Sequence, residues 1–204
     1  KKLLKKKFFN LNILNNKSKI LKNVQSQARL MRYKMLSNFC EKKGIKTIVT
    51  AHNLEDQVET FFIRLSRGSG LTGLSGMKTF SSLNKNINLF RPLLDVRKKI
   101  LIKISKNIFG KFVNDPTNKN LKYLRSKIRN LEKPLENSGI NYNQIIRSIK
   151  NLASSKQTLD EYYKKILKDL LKNSKKQAFI NWRKFKDYNQ EIKIRVINDS
   201  IKKL

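Results

Sequence analysis

Three carboxylates crowd into five positions of a chain that has few acids. Glu55, Asp56 and Glu59 stand in HNLEDQVET, while only 14 of the 204 residues are acidic and 47 are basic, a net charge of +33. Nothing acidic occurs between Glu41 and Glu55, or between Glu59 and Asp95. The single histidine, His52, lies just upstream. Asp56 and Glu59 are three residues apart, so on a helix they face the same way and suit a positively charged ligand. A structural reading competes. Acids in the first turn of a helix favour its dipole and cap free amides, which accounts for Glu55 and Asp56 individually. Glu59 lies a turn deeper and is not explained that way.

The elements that would position these groups can be read from the pattern around them. IKTIVTA (45–51) is short, β-branched and free of charge after Lys46, as a buried parallel strand is. A helix from about Leu54 to Arg67 follows, with Val58, Phe61, Phe62 and Leu65 on its apolar side. Asn53 is its N-cap and Asp56 stands three residues on. The acidic cluster therefore begins where a strand ends and a helix starts, the place where open α/β sheets bind ligands. Upstream, Val24, Ala28, Met31, Met35 and Phe39 recur at helical spacing, and Gly44 is a C-terminal stop. FFNLNIL (8–14) alternates like a strand. Downstream, INLF (87–90) reads as a strand, DVRKKILIKISKNIF as a helix opened by Asp95, and DPTN (115–118) as turn and cap chemistry. From about Asn118 the chain reads as mostly helical and very basic, with breaks near Pro134, Ser138–Gly139 and Ser174. The fold class expected is α/β, a parallel-sheet domain over 1–137, followed by a basic helical region over 138–204.

Charge and composition narrow the function. So large a positive charge calls for polyanionic partners, nucleic acid first. Abundant Lys, Asn and Ile also fit an AT-rich genome, which raises basicity without function. No stretch approaches an apolar membrane span. One cysteine, Cys40, excludes an intrachain disulfide framework and a cysteine-based metal or iron–sulfur site; a buried free thiol is expected there. A cytoplasmic location is expected. The sequence leaves a homodimer open.

GSGLTG (68–73) fits the G-x-G-x-x-G of dinucleotide-binding folds. Those glycines join a strand to a helix, so that the helix N-terminus faces the pyrophosphate. Here they follow a helix, after Arg64 and Arg67, and read as a C-cap and tight loop.

The longer string TAHNLEDQVETFFIRLSRGSGLTGLSGM resembles the second signature block of the tRNA(Ile)-lysidine synthetases, which are PP-loop ATP-pyrophosphatases. VQSQARLMRY, FRPLLDVRKKI and DPTNKNLKYLRSKIRNLEKPL resemble three further blocks of that family, in the same order. The resemblance covers about residues 8–137. Three substitutions depart from it: Asn53 stands where many members have a second histidine, Glu55 replaces an aspartate, and Ser126 replaces an asparagine. The family's phosphate loop, S-G-G-x-D-S, occurs nowhere in the chain. An N-terminally truncated member is the expectation, with negligible ATP turnover and salt-sensitive tRNA binding for the chain as it stands.

What the resemblance implies is specific. ATP, with Mg²⁺, adenylates the C2 oxygen of the wobble cytidine of an isoleucine tRNA with a CAU anticodon, and the side-chain amine of free L-lysine then attacks C2. Lysine arrives as a cation with a side-chain pKa of about 10.4, so it needs a negative pocket and later a way to shed its proton. Asp56 and Glu59 are the expected lysine-binding residues. Charge that builds on phosphate calls for a fixed guanidinium. Arg29 and Arg32 are the candidates, with Arg32 favoured because it sits in the R-Y of the matching block. His52 would orient a phosphate or the base. Arg32, His52 and Asp56 are thus the expected catalytic set, and Arg29, Arg32 and His52 the expected ATP contacts. The alternative role for the carboxylates is to hold Mg²⁺ with ATP; no protein metal site is assigned. Arg64, Arg67, Arg91, Arg125 and Arg129 are the expected tRNA contacts, with the basic tail (Lys150 to Lys203) extending them. Tyr162, Tyr163 and Trp182 are either base-stacking or buried.

Two other classes compete. PP-loop tRNA thiolases commonly use paired cysteines, which a chain with Cys40 alone lacks. A non-catalytic basic RNA-binding protein fits the charge and the missing phosphate loop.

Overall fold

A computed structural model describes residues 10–16, 24–113, 124–174 and 177–201. Among the described residues the first long element is helix α1 (Val24–Lys42), stopped at Gly44, whose φ of +67° favours a residue without a Cβ. Strand β1 (Thr47–Val49) follows, then helix α2 (Leu54–Leu65) and a one-turn helix α3 (Leu71–Leu74). Strands β2 (Phe80–Ser82) and β3 (Asn88–Phe90) complete a three-stranded sheet in the order β1-β3-β2. β1 pairs parallel with β3 (Ile48 opposite Leu89) and β2 antiparallel with it (Ser81 opposite Leu89). The expected parallel pair is present. The antiparallel strand β2 makes the sheet mixed, and sequence reading did not assign it.

Past the sheet come helices α4 (Lys98–Phe109), α5 (Leu124–Arg129), α6 (Glu132–Asn137) and the long α7 (Tyr142–Leu170). A hairpin of β4 (Leu171–Ser174) and β5 (Gln177–Ile180) follows, then α8 (Trp182–Phe185) and α9 (Gln190–Ile201). The tail is therefore not purely helical; the expected break near Ser174 is the end of a strand.

Three apolar clusters hold these layers. Cys40, Ile48, Ile87 and Leu89 seat α1 on the sheet, with Tyr33, Leu36 and Phe39 at the margin. Cys40 is the buried free thiol expected, and burial raises its pKa. Leu54 and Val58 of α2 pack on Tyr142, Ile145, Ile146 and Ile149 of α7. Val58 is wholly buried, a contribution of about 1.5–3 kcal/mol. The far half of α7 (Tyr163, Ile166, Leu170) forms a separate cluster with Leu171, Phe185 and Val196. Tyr163 is buried, donates to Asp199 at 3.0 Å and lies under the Arg195 guanidinium, whereas Tyr162 and Trp182 are exposed.

Several local expectations need correction. Residues 10–14 are irregular and exposed rather than a strand, and residues 8 and 9 lie outside the described residues. Among the described residues no strand pairs with them, and alternation alone does not make a strand. Helix α4 is capped at Arg97, not Asp95, which sits on the surface and pairs with Lys150 at 2.8 Å. The break expected near Pro134 is present and falls at Asn130–Leu131, between α5 and α6. Pro134 itself does not interrupt a helix. It occupies the first turn of α6, where its missing N–H is no loss. DPTN lies outside the described residues.

The loop after α2 is held by a clamp. Gln57 Nε2 donates to the Met77 carbonyl at 2.9 Å, and the Met77 N–H donates to Gln57 Oε1 at 2.7 Å. Gly76 beside it has φ +75°, and a Cβ there would stand 2.7 Å from Ile149 Cγ2. Gly76→Ala is expected to cost roughly 2–4 kcal/mol, from strained backbone plus overpacking. Urea denaturation reads this as a lowered midpoint; an unchanged midpoint would show that the loop has room.

Candidate active site: a cationic cleft beside a buried carboxylate

β1 ends at Val49, and Thr50 still donates its N–H to the Phe90 carbonyl at 2.9 Å. The chain then turns through Ala51 and His52 into α2. Asn53 caps it reciprocally: Asp56 N–H donates to Asn53 Oδ1 and Asn53 N–H donates to Asp56 Oδ2, both at 3.0 Å. This is the capping box that the sequence predicts. The Asn53 side chain, in place of a second histidine, closes it.

The three acids do three different things. Glu55 Oε2 accepts the Lys98 N–H at 2.8 Å and so caps α4. Asp56 belongs to the capping box. Glu59 is 1% exposed and lies against α5: Arg129 Nε and Nη2 each approach Oε1 at 2.7 Å, and Arg125 Nε lies 3.1 Å from Oε2. Burial lifts the Glu59 carboxyl above its usual range, against the pull of Arg129 and then Arg125. Glu59, expected to bind lysine, is therefore enclosed. Arg125 and Arg129, expected as tRNA contacts, both turn toward this carboxylate, and Arg125 also lines a neighbouring cleft. A fully buried carboxylate requires neighbouring cations, and α5 supplies two from one face.

The glycine-rich segment is a loop, as expected. Gly68 adopts φ +67° and returns its N–H to Leu65, while Gly70 begins α3. Arg64 pins it: Nη1 donates to the Gly73 carbonyl at 2.7 Å and the Gly76 carbonyl at 3.1 Å.

Between this loop, α1, β2 and α5 opens a cleft of about 810 Å³. Six cations line it: Arg29, Arg64, Arg67, Lys78, Arg91 and Arg125. Arg91 is 8% exposed, held by Nη1 donating to the Lys78 carbonyl at 2.8 Å and to Ser81 Oγ at 3.0 Å, while its Nε is buried without a partner. Burial, together with the nearby Arg29 and Arg64, pulls the Arg91 guanidinium down from its ordinary value. Burial and Arg29 do the same to Arg64. Repelling cations held together by the fold form a site for a polyanion.

His52 does not line the cleft but lies within the electrostatic reach of three of its arginines, Arg29, Arg91 and Arg125. Its Nδ1 is 2.8 Å from Thr50 Oγ1, leaving Nε2 for a second partner. Burial lowers its pKa, with Asp56 opposing and Arg29, Arg91 and Arg125 adding to the effect, which favours the neutral ring.

Arg32 does not share the cleft. It lines a separate, mainly apolar recess with Leu14, Ala28, Met31, Met35 and Phe39. Arg29 stands in the cleft instead, its guanidinium 5.3 Å from the Tyr33 ring centroid. The reason is the docking face of α1. Arg29 is in helical phase with Tyr33, Leu36 and Cys40, which face the sheet. That phase was present in the sequence.

The donor set was also tested for Mg²⁺. Among the described residues no three His, Cys, Asp or Glu side chains converge, and the acids of α2 are engaged by amides and arginines. The carboxylates do not fit a metal site.

Residues 4–135 match the model of the PP-loop domain family. The chain belongs to that family. A further likeness is structural: the U34-tRNA thiolase NcsA from Methanococcus maripaludis superposes with a TM-score of 0.51 at 17% identity, over 69% of this chain and 47% of that one. This supports the PP-loop fold, with its parallel strand pair and flanking helices. The tRNA(Ile)-lysidine synthase of Wolbachia pipientis wMel is 40% identical over 151 residues, 74% of this chain and 35% of the relative. The one from Orientia tsutsugamushi is 42% identical over 113 residues (55% and 25%), and the one from Rickettsia typhi 30% over 201 residues (96% and 44%). The PP-loop chain thus spans less than half the length of these curated relatives. PP-loop membership implies ATP use. No helix among the described residues is long and apolar enough to cross a membrane.

Proposed function

We propose that this PP-loop chain belongs to a tRNA(Ile)-lysidine synthase, which joins free L-lysine to C2 of the wobble cytidine of an isoleucine tRNA with a CAU anticodon, at the expense of ATP. The observation that carries this reading is the juxtaposition at one end of β1. A six-cation cleft lies beside His52 and the acids of α2. The relatives bearing that name support it, and the likeness of the Rickettsia typhi protein, over 201 residues, includes this segment.

Each group has a task. ATP, when bound, supplies the adenylate that turns the C2 oxygen into a leaving group; Mg²⁺ would accompany its phosphates. Arg91 and Arg29 suit charge on phosphate, the first because its neighbours fix it before a ligand arrives. Arg64 and Arg67 border the entrance for the RNA backbone. Asp56 and Glu59 attract the lysine ammonium. The neutral His52 ring can take up the proton that the amine must lose before attack. Residues 138–204 supply a basic surface that prolongs the RNA contact.

The test is lysidine formation by the whole protein with labelled L-lysine, ATP and a CAU-anticodon transcript. Label in RNA that depends on all three supports the reading. RNA binding without incorporation would favour the non-catalytic alternative.

A further inference from the structure

Arg125 stands between the Glu59 carboxylate and the cleft. Its Nε lies 3.1 Å from Glu59 Oε2, and the same side chain lines the cleft, where phosphate is expected. The contacts on Glu59 are unequal. Oε1 receives both 2.7 Å approaches of Arg129. Oε2 and the Arg125 Nε are near each other but misaligned, and neither atom completes a hydrogen bond. A wholly buried carboxylate oxygen is therefore short of a donor. The Arg125 side chain is about one-third exposed, so it is the arm that can leave. A phosphate in the cleft offers it a better aligned, charge-assisted partner. Its departure leaves Oε2 facing the cleft wall, with a negative charge in need of a new cation.

We propose that Arg125 is a shared arginine that couples two ligands: phosphate entering the cleft draws its guanidinium from Glu59, and the vacated Oε2 accepts the primary ammonium of lysine. This rests on the reading of Glu59 as a lysine-binding acid. Arg129 stays in place and keeps α5 against α2. Arg125 acts as a positioning residue, and the coupling orders the reaction: free lysine is held firmly only once a phosphate ligand is seated. The linkage is reciprocal, so lysine tightens phosphate binding by the same factor.

Equilibrium dialysis of labelled L-lysine against the whole protein tests this, without RNA, with an anticodon stem-loop RNA, and with ATP. Lysine affinity is expected to rise about tenfold with RNA. Arg125→Gln is expected to bind lysine equally with and without RNA. Circular dichroism checks that the variant folds, and the wild-type arms decide the question if it does not. An equal rise with ATP upholds the switch and assigns the phosphate to the nucleotide. Wild-type lysine affinity indifferent to both ligands overturns the coupling while leaving the lysine site intact, as does coupling that survives in Arg125→Gln. No lysine binding in any arm overturns the coupling and the lysine reading together.

Discussion

Replacing Glu59 with alanine lowers the stability of the fold by about 2–4 kcal/mol. Removing one partner of a buried ion pair typically costs about 3–5 kcal/mol, because it strands the other charge. The figure is reduced here because Arg125 and Arg129 are roughly one-third exposed and recover some hydration. Glu59→Gln keeps the volume and an acceptor for Arg129 and is expected to lose about half as much. The measurement is a urea midpoint at constant slope. A change under about 0.5 kcal/mol for the alanine variant would mean that α5 is not anchored through Glu59. The contrast with Glu55 is informative. Glu55 accepts one amide and pairs loosely with the partly exposed Arg97 at 3.8 Å, so its loss resembles a lost cap, about 1 kcal/mol.

The second large effect falls on chemistry and leaves stability nearly untouched. Asp56→Asn retains an oxygen that can accept the Asn53 N–H, so the capping box survives. The negative charge does not. If Asp56 attracts the lysine ammonium, incorporation falls by about two orders of magnitude, in line with a lost charge-assisted hydrogen bond plus attraction in a half-buried site. Thermal melting should move little, and lysine saturation should shift before RNA affinity does. Asp56→Ala separates the two roles, because it also removes the cap at about 1 kcal/mol. Wild-type incorporation by Asp56→Asn would confine Asp56 to its cap.

Local signals carried much of this site. Asn53 and Asp56 announce the start of α2, the β-branched run Thr47–Val49 announces β1, and the glycine run after Arg67 announces the loop that ends α2. What stayed hidden depends on residues far apart in the chain. Arg129 reaches Glu59 across 70 positions, and no local pattern distinguishes an outward arginine from one folded over a carboxylate. Gln57 resembles any polar helix residue until Met77 arrives to pair with it. The hairpin LKNS/QAFI lacks strong β-formers in its first strand and exists through pairing between the two. Arg32 was preferred over Arg29 because a motif outweighed phase, although Tyr33, Leu36 and Cys40 marked the sheet-facing side.

The most direct measurement is the affinity of the chain for a CAU-anticodon tRNA as a function of salt. Six cations in one cleft predict a steep linear fall of log K with log salt, a slope of about −3 to −5 if most of them meet a phosphate. Arg67→Gln, exposed and free of loop-holding bonds, should flatten the slope by about one without altering the fold. A slope near zero, or one unmoved by this substitution, would contradict a cleft built for RNA phosphate beside the acids of α2.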